Sequence, residues 1–192
     1  MPELEVEEDG PIRSCVRVRG FHASADGRRF CPYILRFHFH SDSPFVHLEH
    51  TCVFDQDVDR IQLRQVGARL RVPPGGRNHV LVADAASPLR GDTVLLQGRA
   101  DAWSLQAGSS IVARGEHSQG WVCTATTNAA LSMAVQDMWQ EYPKALRIDR
   151  QQFELLTMAE MQTEFPLDYR YRDSHGPTLF LDTCRSAHEV TP

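Results

Sequence analysis

The stretch Ile12-Arg-Ser-Cys-Val-Arg-Val-Arg19 alternates between two kinds of side chain and decides the fold class. Successive side chains of a β-strand point to opposite faces of a sheet, so residues two apart share a face. The pattern therefore predicts a strand with one dry face and one face in water. The dry face has Ile12, Ser14, Val16 and Val18, and the other has Arg13, Cys15, Arg17 and Arg19.

Similar runs follow along the whole chain. Residues 33–40 alternate again, Ser41-Asp-Ser-Pro44 forms a turn, and residues 45–54 return as the second strand of a hairpin. Many short strands separated by turn residues predict an all-β fold, an antiparallel β-sandwich, as one domain over residues 1–192. Further β-like runs cover residues 61–72, 79–83, 93–100, 110–114, 121–124, 153–158 and 178–181.

Residues 129–142 have two interpretations. Leu131, Val135 and Met138 stand at helical spacing, which favours an amphipathic helix that ends before Pro143. Leu131, Met133 and Val135 also alternate as in a strand. The pattern alone leaves both open, so the fold includes at most one short helical segment.

The overall charge limits the classes of partner. The 192 residues include 20 Lys and Arg against 25 Asp and Glu, and 20 − 25 = −5. Such a chain lacks the broad positive field that binds a phosphate backbone, which excludes nucleic acid. No apolar run approaches the roughly 20 residues that span a bilayer, so no membrane is expected as a partner. The acidic start is unlike a signal peptide, so the sequence contains no export signal. The compartment stays unknown, and we expect the cytoplasm unless the N-terminus is truncated.

The spacing of the cysteines and the absence of common catalytic motifs predict that the chain has no cofactor. No Cys-x-x-Cys pair occurs, so we expect free thiols rather than a zinc ribbon or a redox pair. The sequence also lacks GxSxG, P-loop, GxGxxG and HExxH motifs. The five cysteines are Cys15, Cys31, Cys52, Cys123 and Cys184.

Histidines gather around the predicted hairpin. His38 and His40 share one face of the first strand, and His47 and Glu49 share a face of the second. Imidazole and carboxylate ligands on adjacent strands can bind zinc or iron, as in a cupin-like metalloenzyme. The cupin spacing and its flanking glycines are absent, so we expect these side chains to face solvent or line a polar groove and keep the metal site as an alternative.

Two later groups combine aromatic and ionic side chains. Arg114-Gly-Glu-His-Ser-Gln-Gly-Trp121 is typical of a loop at the rim of a sheet, where binding residues often lie. Asp137-Met-Trp-Gln-Glu-Tyr-Pro-Lys144 places an indole and a phenol beside both signs of charge. Aromatic faces stack on the apolar faces of sugar rings, whereas an ordinary amphipathic segment would have the same composition.

Seven stretches form an ordered set along the chain. They are Val6-Glu-Glu-Asp-Gly-Pro-Ile-Arg13, Val16-Arg-Val-Arg-Gly20, Leu35-Arg-Phe-His38, Pro44-Phe-Val-His-Leu-Glu-His-Thr51, Gly120-Trp121, Met138-Trp-Gln-Glu-Tyr-Pro-Lys144 and Ser186-Ala-His-Glu189. Together they resemble the central β-sandwich domain of the exo-rhamnogalacturonan lyase family. The last but one is the most specific, although Met138 stands where that family usually has an aromatic residue.

The resemblance has structural implications. It implies a supersandwich-like β-sandwich in which residues 130–135 form a strand and residues 139–142 a turn. Lyases of this family have a further β domain and a helical toroid. We therefore expect a fragment or reduced form of a longer multidomain lyase, with neighbouring domains of the parent chain as partners.

The resemblance also implies a reaction, β-elimination on an acidic pectic polysaccharide or oligosaccharide. Such a lyase neutralises the uronate carboxylate, removes the C5 proton and protonates the leaving oxygen. The residues with suitable groups are His117, Tyr142 and Lys144 for catalysis, and Arg114, Trp121 and Trp139 for substrate binding. Whether the chain is active alone is left open. The alternatives are a non-catalytic carbohydrate-binding or scaffold module and the cupin-like metalloenzyme.

Overall fold

The computed structural model describes residues 1–57, 65–71, 79–125, 130–149 and 152–158. The regular elements in these ranges are all β-strands, and every strand pairing is antiparallel. This confirms the all-β antiparallel fold class. The chain divides into two compact units, one containing residues 1–57 and the other residues 65–158. The prediction of one domain over residues 1–192 stays a prediction, because residues 159–192 lie outside the described ranges.

The first unit is a four-stranded sheet whose strands follow one another in chain order. The strands are β1 (Glu3–Asp9), β2 (Arg13–Ala23), β3 (Arg29–His40) and β4 (Val46–Cys52). The predicted hairpin is β3 and β4, with Phe39 opposite Val46 next to the turn.

The register of β2 confirms the alternation, but the predicted dry and wet faces are wrong in part, because Ile12 is 72% exposed and Cys15, on the charged face, is 2% exposed. Val16 lies opposite Phe37 on one face, and Arg17 lies opposite Arg36 on the other. The acidic start, for which the sequence predicts no strand, forms β1. It pairs with β2 because Glu5 lies opposite Arg17 on the charged face.

The second unit is a sandwich of two sheets. The three-stranded sheet has the order β11-β10-β6, and the six-stranded sheet has the order β5-β13-β12-β7-β8-β9. Their strands are β5 (Val66–Arg71), β6 (His79–Val82), β7 (Thr93–Arg99), β8 (Ala102–Ala107), β9 (Ser110–Gly115), β10 (Trp121–Ala125), β11 (Ala130–Ala134), β12 (Lys144–Ile148) and β13 (Gln152–Met158).

One apolar cluster joins the two sheets of the sandwich. Val82 and Val122 from the three-stranded sheet pack with Leu95, Leu146 and Phe153 from the six-stranded sheet. Each large apolar side chain buried in this way stabilises the fold by about 1.5–3 kcal/mol. The core therefore fixes the position of one sheet on the other, and this also positions the loops at the ends of their strands.

The structure decides between the helix and the strand that the sequence left open for residues 129–142. Ala130–Ala134 is strand β11, and Leu131 and Met133 pack on the core at the two-residue period of a strand. The helical interpretation is therefore wrong, and the strand implied by the resemblance is right. Strands β8 and β12 were not predicted, and the predicted strand at residues 178–181 lies outside the described residues.

Candidate functional site

The loop after β9 is held by a buried glutamine. Gln97, which is 0% exposed, donates from Nε2 to the carbonyl oxygens of Arg99 at 2.7 Å and Glu116 at 2.8 Å. Its Oε1 accepts a hydrogen bond from the backbone N–H of Ser118 at 2.9 Å. One buried side chain thus holds the backbone on both sides of His117.

A second set of hydrogen bonds fixes the same loop from the three-stranded sheet. The Ser118 hydroxyl donates to Asp84 Oδ2 at 2.6 Å and accepts from the backbone N–H of Gly120 at 3.1 Å. Gly120 has φ of 70°, and a Cβ there would lie 2.7 Å from Met138 Cβ. Glycine is required because the loop turns in the left-handed region directly against a core side chain.

This loop brings two of the predicted site residues together. The imidazole of His117 stacks on the indole of Trp139, with ring centroids 4.3 Å apart and planes tilted by 31°. Trp139 is 37% exposed, and its neighbour Met138 is buried in the core at 2%. The pair therefore forms an aromatic surface at the end of the sandwich, and the buried side chain of Met138 holds Trp139 in place.

Lys144, a predicted catalytic residue, is inside the molecule. Its ammonium is 0% exposed, donates to the Gln136 carbonyl oxygen at 2.6 Å and lies 3.4 Å from Glu141 Oε2. Gln97 lies opposite it on the neighbouring strand. Tyr142, which is half-buried, precedes it by two residues. Lys144 thus braces the turn that carries Trp139.

Arg114 and Trp121 lie on faces that point away from the core. Ala113 packs on the core, so Arg114, the next residue of β9, faces the other side of the six-stranded sheet. Val122 is buried in the core, so Trp121 lies on the outer face of the three-stranded sheet, 39% exposed. The structure does not bring these two side chains together.

A cleft of about 320 Å³ lies on the charged face of the four-stranded sheet. Sequence reasoning named its histidine and Glu49, but not the rest of its lining. The available signal was the alternation of Arg and Glu at strand positions that share a face. The lining consists of Glu7, Glu8, Arg13, Arg36, His38 and Glu49, together with the thiol of Cys15.

Glu7 is the centre of an ion-pair network beside the cleft. Its carboxylate accepts hydrogen bonds from Arg17 Nη1 at 2.6 Å and Arg36 Nε at 2.7 Å, and Arg17 also pairs with Glu5. The hydrogen bond from Arg36, with the charges of both guanidiniums, lowers the pKa of Glu7 to about 2. Burial and the Glu7 charge raise the pKa of the Cys15 thiol, which therefore stays protonated.

The predicted histidine cluster is only partly assembled. Glu49 Oε1 lies 3.4 Å from His38 Nε2 and 3.9 Å from His47 Nε2, and the two imidazole centroids are 5.6 Å apart. His40 is exposed. No three His, Cys, Asp or Glu side chains within the described ranges are arranged to hold a metal ion. The cupin-like alternative therefore gains no support there.

These features define the class of protein, an all-β sandwich protein with a stacked aromatic pair at the surface and a polar cleft. Residues 1–81 match the family described as PcRGLX-like protein central beta sandwich domain. The match confirms the suspected likeness to rhamnogalacturonan exolyase-like domains, includes the cleft and ends before the six predicted site residues. No curated protein matches the chain. Within the described residues, no helix is long and apolar enough to cross a membrane.

Proposed function

We propose that the chain is a carbohydrate-recognising β-sandwich domain of an exo-rhamnogalacturonan lyase-like protein that degrades acidic pectic polysaccharide by β-elimination. The family match over residues 1–81 supports the parent class. The geometric observation that carries the proposal is the stack of His117 on Trp139. Pyranose rings have an apolar C–H face that packs on an indole, while their hydroxyls bond to polar neighbours.

The loop network makes this aromatic pair suitable for binding. Gln97 and Asp84 hold the loop that carries His117, and the buried Met138 anchors the turn that carries Trp139. A platform fixed before the ligand arrives loses little conformational entropy on binding. His117 is the exposed member of this pair that can transfer a proton, so we assign it the base or acid of the elimination, with Tyr142 and Lys144 as its predicted partners.

A second candidate is a non-catalytic carbohydrate-binding or scaffold module. The burial of Lys144 favours it, because an ammonium that is 0% exposed and bonded to Gln136 does not face a substrate. In this case Lys144 stabilises the turn, and the His117–Trp139 pair binds sugar without cleaving it.

Binding is tested by calorimetric titration of the full chain with rhamnogalacturonan oligosaccharides. Trp139→Leu and Trp121→Leu are matched variants, since the two indoles are similarly exposed but lie at different places on the sandwich. We expect Trp139→Leu to weaken binding about tenfold or more and Trp121→Leu to change it less. Equal affinity of wild type and Trp139→Leu, or no binding by the wild type, would contradict the proposal.

Catalysis is tested by the ultraviolet absorbance of the unsaturated product, on the chain and on its full-length parent. Absorbance that rises with the parent and falls in His117→Gln supports the lyase. Binding by the chain together with a flat trace from the parent supports the non-catalytic module instead.

A further inference from the structure

The cleft in the first unit contains a buried imidazole whose Nε2 has no hydrogen-bond partner in the described part of the chain. The His38 side chain lines the cleft and is 10% exposed. Buried polar atoms in folded proteins nearly always have a partner in the protein, a water molecule or a ligand. His38 is therefore a group that a molecule in the cleft would satisfy.

Glu49 is the second group in the cleft that is open to a ligand. Its side chain is 39% exposed, its Oε1 lies 3.4 Å from His38 and 3.9 Å from His47, and Arg36 lies opposite it on the neighbouring strand with its guanidinium bonded to Glu7. The carboxylate of Glu7, by contrast, already accepts hydrogen bonds from two guanidiniums. Glu49 thus has acceptor positions to offer, and Glu7 has few.

Two half-exposed residues of the lining supply a donor beside another acceptor. Arg13 Nη2 lies 3.1 Å from Glu8 Oε2, and both side chains are about half exposed, at 46% and 47%. Both can bind a further partner without breaking this ion pair. The lining of the cleft therefore includes both donors and acceptors.

The charges of the lining select the ligand. Three carboxylates line the cleft with the guanidiniums of Arg13 and Arg36, and the guanidinium of Arg17 pairs with one of these carboxylates, Glu7. The two signs of charge largely offset each other, so an anionic ligand would meet carboxylates and a cationic ligand would meet guanidiniums. A hydroxyl donates and accepts at the same atom, so a ligand with several neutral hydroxyls fits this mixed lining.

We propose that this cleft binds a neutral, polyhydroxylated ligand of monosaccharide size. Glu49 accepts a hydrogen bond from one of its hydroxyls, Arg13 donates one, and the Nε2 of His38 forms a hydrogen bond with a further hydroxyl. The volume of about 320 Å³ is at the lower end for small-molecule sites. The site lies in residues 1–57 and does not depend on the function proposed for the His117–Trp139 pair.

Three sugars with the same ring but different charge test the ligand class on the full chain. They are methyl galactopyranoside, galacturonate and galactosamine, which are neutral, anionic and cationic. Binding is followed by the nuclear magnetic resonance signals of the His38 imidazole. We expect methyl galactopyranoside to shift these signals at the lowest concentration. No shift with any sugar, or tighter binding of galacturonate or galactosamine, would overturn the proposal.

Variants with matched controls test the residues. Glu49→Gln and His38→Gln are expected to weaken binding of methyl galactopyranoside about tenfold. The controls, Glu3→Gln and His40→Gln, change the same residue types outside the cleft lining and should leave it unchanged. Equal affinity of Glu49→Gln and wild type refutes the role of Glu49. If His38→Gln fails to fold, the His38 signals of the wild type still decide whether the sugar enters the cleft.

Discussion

The imidazole of His50 is 5% exposed, and its Nδ1 has no hydrogen-bond partner within the described ranges. Burial, with a smaller contribution from the charge of His22, lowers the pKa of His50 from 6.5 to about 4. In the unfolded chain the imidazole is in water, and its pKa returns to about 6.5. Protonation therefore favours the unfolded state.

The sign and size of the effect follow from these two pKa values. Well above pH 6.5 the imidazole is neutral in both states, so His50 contributes no pH dependence to the stability there. As the pH falls below 6.5, the unfolded state binds the proton first, so the free energy of unfolding decreases until about pH 4. At roughly 1.4 kcal/mol for each pH unit, the difference corresponds to a loss of about 3 kcal/mol.

The assay must report on the first unit. The three tryptophans, Trp103, Trp121 and Trp139, all lie in the second unit, so their fluorescence does not follow β3 and β4. Amide hydrogen exchange of the strand residues, corrected for the intrinsic exchange rate at each pH, gives the opening free energy of this sheet.

His50→Leu is expected to remove the loss of about 3 kcal/mol between pH 7.5 and pH 4, because leucine does not titrate. His47→Leu, on the same strand but with a side chain that is 54% exposed, should retain it. The reasoning is refuted if His50→Leu and wild type lose the same stability over this range, or if His50 titrates near 6.5 in the folded protein.

Three further predictions concern the second unit, and tryptophan fluorescence during denaturant unfolding measures each. Phe153→Ala removes a side chain that is 0% exposed and should destabilise the sandwich by about 3–5 kcal/mol, whereas a loss under about 1 kcal/mol would contradict the core assignment. Gly120→Ala should cost about 1–3 kcal/mol, because its φ is 70° and a Cβ would press on Met138; unchanged stability would show that the loop is not constrained there. Lys144→Met should lower the free energy of unfolding by about 3 kcal/mol, because it removes the buried ammonium beside Glu141. A variant that is as stable as the wild type but has lost activity would instead favour a catalytic lysine.

Local pattern was sufficient to find strands β2 and β3, because their side chains alternate over long runs. It did not give the burial of each face, since Cys15 lies on the charged face of β2 and is 2% exposed. Strand β12 could not be found in this way, because Ala145 and Leu146 are buried on opposite faces and no alternation remains. Strand β1 is exposed throughout and exists through its pairing with β2, which no local pattern reveals.

The sites follow the same division. The sequence alone placed His38 with Glu49 near one hairpin, because the two strands are neighbours in the chain. It named both His117 and Trp139, but not their contact across the end of the sandwich. It named Lys144 as a catalytic residue and gave no sign that its ammonium is buried.

The sequence by itself determined the β-strand class and which side chains of β2 share a face of the sheet. Both depend on the two-residue period of a strand, which is a local property. Only the tertiary structure decided which polar groups meet. Glu7 reaches Arg36, 29 positions later in the chain, through the register of three strands, and a contact of that range depends on how the whole sheet pairs.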